Sequence, residues 1–132
     1  MRVFIISLVM LLSVTAFTQG VGRTVTDIIT IKDRAYTINK HPNSSTICYL
    51  EYICKEDQPC ITESYYYSIE DMLIFRVVEL YHASYLAIAL NFMNDKYEIK
   101  PYLVWIDHEG DNEVTLRINE SVDLFTVSYV YK

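Results

Sequence analysis

From residue 114 to the C-terminus, apolar and polar side chains alternate. Val114, Leu116 and Ile118 fall on one side of an extended chain, and Thr115, Arg117 and Asn119 fall on the other. Phe125, Val127, Tyr129 and Tyr131 repeat the same period. A period of two marks a strand with one buried face. Cys48, Leu50, Tyr52 and Cys54 share a face in the same way. Tyr97 and Ile99 open another strand, and Pro101 marks a bulge or a sheet edge before a further strand over 102–106, because proline gives no ladder hydrogen bond. Turn signals punctuate the chain at His41-Pro42-Asn43, 55–59, 68–71, His82-Ala83-Ser84, Asn94-Asp95, 108–112 and 119–121. From the second onward they recur about every dozen residues, the cadence of an all-β barrel or sandwich. The pattern predicts an all-β antiparallel meander of eight or nine strands.

One stretch fits two periods. Ser68-Ile69-Glu70-Asp71 resembles a helix N-cap with a weak capping box. Ile69, Leu73, Val77 and Leu80 would then line a helical face. Against this, MLIFRVVELY is rich in β-branched and aromatic residues, which suit strands. Strands are the expectation here, and a helix around 69–93, giving an α+β fold, is the alternative.

The N-terminus changes where the chain is expected to act. Arg2 precedes an apolar run over 3–14, and Val14 and Ala16 occupy the −3 and −1 positions of a cleavage site, with a second site after Gly20. This is the build of a secretory signal peptide, and the run is short for a bilayer span. The expectation is a signal peptide over 1–20 and a single secreted β domain over 21–132. The formal charge of −6 becomes −7 once Arg2, the leader's one charged residue, is removed. That balance disfavours nucleic acid and anionic membrane surfaces and suits cationic or neutral partners. Basic residues are sparse, with Lys32 and Arg34 the densest pair. Asn43-Ser44-Ser45 and Asn119-Glu120-Ser121 are N-glycosylation sequons, both at expected turns.

Export also decides how the three cysteines are read, since an oxidising route favours disulfides. The spacing C-x5-C-x5-C lacks the close pairs of a zinc site, and no metal is expected. On one strand, Cys48 and Cys54 would stand about 20 Å apart, against the roughly 4.4–6.8 Å a disulfide needs. A Cys54–Cys60 bridge would close the polar loop 55–59, and a Cys48–Cys60 bridge would tie two strands together. Cys60 is therefore the shared partner, with Cys54–Cys60 the pairing carried forward and Cys48–Cys60 the alternative. The remaining thiol is then either buried or the link in a disulfide-bonded homodimer.

Catalytic chemistry is not signalled: G-x-S-x-G, H-E-x-x-H and a glycine-rich phosphate loop are all missing. No enzyme and no cofactor are expected. Asp107, Glu109, Asp111 and Glu113 alternate in WIDHEGDNE, but without the EF-hand pattern they read as a solvated hairpin tip. The twelve tyrosines, three of them consecutive at 65–67, suit ligand cavities and protein-binding surfaces as well as ordinary sheet packing. Glu79 shares its strand face with Val77 and Tyr81. Facing inward among aromatics it would demand a partner such as an amine; facing outward it is a solvated strand charge.

The segment DIITIKDRAYTINKHPNSSTICYLEYIC resembles the early part of the tick salivary, histamine-binding-like lipocalins, with an aromatic first strand (Tyr36), a polar turn and a cysteine-bearing strand (Cys48). The resemblance implies an eight-stranded barrel that sequesters biogenic amines or lipids as a host-response modulator. The expected cavity lining is Tyr81, Tyr97, Tyr102 and Trp105, with Glu79 as the polar anchor. The alternative is a secreted β-sandwich that binds a host or partner protein such as a cytokine. The two differ in where the aromatics point: into a pocket of a few hundred Å³, or onto a flat exposed patch.

Overall fold

The computed structural model describes residues 20–131. The expected signal peptide therefore lies, apart from Gly20, outside the described residues. The fold is mostly β, a single antiparallel sheet, as the alternating pattern predicts. The chain runs α1 (Val25–Lys32), β1 (Thr37–Lys40), β2 (Ile47–Ile53), β3 (Cys60–Ser68) and β4 (Ile74–His82). It continues through a 3-10 turn (Ala83–Tyr85), α2 (Leu86–Lys96), β5 (Glu98–Lys100), β6 (Val104–Asp107), β7 (Asn112–Asn119) and β8 (Leu124–Tyr131). Eight strands hydrogen-bond in the order β1-β2-β3-β4-β8-β7-β6-β5. Each half is a helix followed by a four-stranded meander, and the halves join where β4 pairs with β8.

The sheet does not close. β1 and β5 stand at opposite edges, so the meander forms neither a barrel nor two stacked sheets. The physical reason lies on the covered face, where side chains of α1 and α2 join the same apolar cluster as the central strands. The helices fill the space that closure would have filled with strands.

Register sorts the strands into two faces. Across the covered face, Leu50, Tyr65, Val77, Tyr129, Val114 and Trp105 stand side by side, and all six are buried. The next row is Tyr52, Glu63, Glu79, Val127 and Leu116, also all buried. Across the opposite face run Tyr49, Tyr66, Arg76, Val130 and Glu113, each half-buried or exposed. Among the described residues, no helix covers that second face.

The stretch 69–82 is a turn and a strand, as expected, but the helix alternative is partly right further on, because α2 occupies 86–96. The expected turn at Asn94-Asp95 falls inside that helix. Leu86, Ala87, Ala89, Leu90 and Met93 are strong helix formers. Ala89, Phe92 and Met93 face the core, at the i, i+3, i+4 spacing of a helical stripe. α1 forms despite its β-branched sequence VTDIITIK. The Thr24 hydroxyl caps it by accepting from the Asp27 N–H at 3.1 Å, Asp27 sits in its positive first turn, and Val25 and Ile28 are buried.

Candidate functional site

Glutamates do not ordinarily sit under a sheet's helices, yet this core holds two. Glu63 on β3 and Glu79 on β4 are register partners on adjacent strands, and both are buried. Like charges placed directly opposite repel, and the surroundings resolve the conflict by treating the two differently. The Lys32 ammonium donates to Glu63 Oε2 at 2.6 Å, and the Arg34 guanidinium donates to Glu63 Oε1 at 2.9 Å. Lys32 closes α1 and Arg34 follows it, so the docking of that helix delivers both cations to one carboxylate. The Tyr65 hydroxyl also donates to Glu63, at 2.7 Å.

Glu79 receives no cation. Its exposure is 0 %, and the Tyr81 hydroxyl donates to Oε1 at 3.0 Å, while Oε2 has no hydrogen-bond partner. Burial first, and the charge of Glu63 second, push its pKa up to about 8. The carboxyl is therefore mainly neutral at pH 7. Burial and the neighbouring glutamates likewise raise the phenols of Tyr65, Tyr81 and Tyr129 well above the ordinary range. The cluster is one carboxyl held by two cations and one neutral carboxyl, wrapped in tyrosines.

Four of the five residues expected to line a cavity belong to this layer: Glu79, Tyr81, Tyr97 and Trp105 are all buried. Trp105 donates its indole N–H to the Asn94 side chain of α2 at 2.9 Å, and Tyr97 packs edge-on against Phe92 of the same helix. All four are packed into the interior beneath the helices. Tyr102 is 96 % exposed on the β5–β6 turn, with φ 64, and takes no part in the layer. Four open clefts among the described residues, of about 600, 340, 270 and 180 Å³, are lined by other residues.

The sequence contained an unused signal for Glu63. Glu63-Ser64-Tyr65 and Glu79-Leu80-Tyr81 are the same E-x-Y pattern, and in both the tyrosine hydroxyl donates to the glutamate two residues back on its own strand face. Lys32 and Arg34 stand out in the sequence only as the densest basic pair; the contact with Glu63 is long-range.

The cysteines pair as expected. Cys54 and Cys60 form a disulfide, and Cys48 is a free thiol buried on β2. Cys54, Cys60 and Glu63 offer ligand atoms within 4.8 Å of one another, but the two sulfurs are already bonded to each other and are not thiolates. The acidic 107–113 segment is a hairpin turn built on Asp107, whose side chain accepts the N–H groups of Glu109 and Gly110 at 3.1 and 3.0 Å. Glu109, Asp111 and Glu113 point into solvent.

The second face of the sheet has a different character. Tyr49 and Tyr66 pack ring to ring at 4.8 Å, with His41 against Tyr66 at 6.3 Å. Beside them Arg76 is exposed, and Ser64, Val78, Ser128 and Thr115 form a row of small side chains across the middle. The result is a shallow, level surface with tyrosines and an arginine at one side. Comparison with family models, curated proteins and solved structures finds no match to this chain.

Proposed function

We propose that the protein is secreted, carries N-glycans, and acts outside the cell by binding an extracellular protein on the uncovered face of its sheet, as a decoy for a host or partner protein such as a cytokine would. The observation that carries this reading is that face itself, with Tyr49, Tyr66 and Arg76 beside a level strip of small residues. Tyrosine and arginine are the side chains that most often anchor protein interfaces. Five long strands, about 4.8 Å apart and about 26 Å long, span roughly 600 Å², close to one partner's share of a standard interface at about 800 Å². The acidic balance of the chain favours a basic partner. The Cys54–Cys60 disulfide is consistent with an oxidising destination, and no helix of the described residues is long and apolar enough to cross a membrane.

The test is a binding screen against purified extracellular proteins of basic and of neutral pI. It compares wild type with a folded Tyr49→Ala/Tyr66→Ala/Arg76→Ala variant. A basic binder weakened at least tenfold by the triple change supports the reading. Binding that is indifferent to it moves the site elsewhere.

The small-ligand reading retains one supporting feature. A cleft of about 340 Å³ lies between Arg34, Tyr36, Thr37, Glu51 and Ile53, within the size range of ligand pockets. Its Tyr36 and Ile53 walls suit an apolar lipid chain, and its Arg34 is already held by Glu63 and the Ile53 carbonyl. Thermal stabilisation by a fatty acid, removed by Tyr36→Ala, would favour this second reading.

A further inference from the structure

A cleft lies at the β7–β8 hairpin, and one of its walls is a sequon. It encloses about 600 Å³ between Leu80, Asn119, Val122, Leu124, Phe125 and their neighbours. The apolar side chains at its rim are left in water: Ile118 is 44 % and Val122 56 % exposed. Asn119 ends β7, and the loop 120–123 turns the chain back into β8. The Ser121 hydroxyl donates to Asn119 Oδ1 at 2.7 Å, a contact that does not use the amide nitrogen Nδ2. Asn119, Glu120 and Ser121 are all exposed.

We infer that Asn119 carries an N-glycan whose first N-acetylglucosamine lies in this cleft, covering Ile118 and Val122. The inference rests on the secretion reading, because the sugar comes from the transferase of a eukaryotic secretory route. In that step Asn119 Nδ2 forms a bond to C1 of the sugar, and the C1–O bond to a lipid pyrophosphate breaks. The lipid pyrophosphate leaves, and one amide proton passes to a base of the transferase. The pairing of site and occupant follows from attachment: a sugar bonded to a side chain that lines the cleft has a high local concentration there. Its apolar ring face can cover the aliphatic rim while its hydroxyls stay in water. The cleft adjoins the uncovered sheet face through Leu80, Arg117 and Thr126. It lies at the hairpin end of that face, several residues along the strands from Tyr49, Tyr66 and Arg76, so the glycan would border the proposed protein-binding surface without covering those three side chains.

The experiment uses the full chain with its own leader, expressed in mammalian cells held at the high-mannose stage, with Asn43→Gln isolating the second sequon. Peptide mapping of the secreted protein is expected to place a sugar on Asn119. Endoglycosidase H then leaves one N-acetylglucosamine, and that form is compared with Asn43→Gln/Asn119→Asp protein, which bears none. The one-sugar form is expected to melt roughly 2–6 °C higher, and Val122→Ser is expected to abolish the difference without abolishing the glycan. An unmodified Asn119 in secreted protein overturns the inference, as does an equal melting temperature with and without the sugar. Chain that stays in the cells and carries no sugar overturns both this inference and the secretion reading. Chain that stays in the cells but carries the sugar sinks only the latter.

Discussion

Glu79 is neutral because it is fully buried beside the Glu63 carboxylate, while Lys32 and Arg34 pair with Glu63. The consequence for stability has a definite sign. The folded pKa, about 8, lies above the ordinary carboxylate value near 4.5, so the folded chain holds a proton that the unfolded chain has lost. This group's contribution is therefore most favourable below about pH 4.5 and declines as pH rises through 8, at up to about 1.4 kcal/mol per pH unit. Glu79→Gln keeps an acceptor for Tyr81 and removes the titration. Its stability advantage over wild type should grow between pH 5 and 8 and then level off, as read by urea denaturation across pH. An advantage that does not change with pH would show that Glu79 is not protonated in the fold. Glu63→Gln tests the other half of the pair. It removes the second cause of the Glu79 shift, so the Glu79 inflection should move to lower pH. It also strands Lys32 and Arg34, at a cost of roughly 1–3 kcal/mol given that both cations are partly exposed.

At the scale of elements, the strands were legible because burial and alternation are one signal read twice, as in Val114-Leu116 and Phe125-Val127-Tyr129. The helices were less so. In VTDIITIK the intrinsic preference points to a strand, and the Thr24 cap and the burial of Val25 and Ile28 override it. In α2 the helix formers of LAIAL lie between two turn signals, His82-Ala83-Ser84 and Asn94-Asp95, and only the first of these falls outside the helix. The turn residues Asn94 and Asp95 fall in the last helical turn, where the Asn94 side chain is held by Trp105. The candidate site was half legible for a similar reason: periodicity put Glu79 and Tyr81 on one face, but only the packing of α1 and α2 makes that face interior. Strand geometry excludes Cys48–Cys54 and makes Cys60 the shared partner, and the structure then gives that partner to Cys54. Bridging residues six apart constrains the unfolded chain modestly. Cys54→Ser/Cys60→Ser should cost about 2 kcal/mol and leave the sheet assembled. Loss of folding altogether would mean that the bridge also anchors β3 beside Glu63.

Whether a meander closes is a property of the whole molecule, and no local pattern carries it. Here β8 returns to pair with β4, and this leaves β1 and β5 as edges and two helices on one face. The adjacent residues Val77 and Val78 therefore differ completely in surroundings: Val77 is fully buried under the helices, while Val78 is half-buried between Ser64 and Ser128 on the other face. A lysine at position 78 can lie across those small neighbours with its ammonium in water; at position 77 it would be an unpaired charge in the core. Val78→Lys should cost less than about 1 kcal/mol and leave the circular dichroism spectrum unchanged. Val77→Lys should prevent folding. The comparison isolates topology, because the two substitutions have the same chemistry, strand and neighbourhood in sequence. If both were equally damaging, the second face would be covered in solution, by closure or by a partner copy. Sedimentation of the wild type would separate those two causes, since only the second changes the mass.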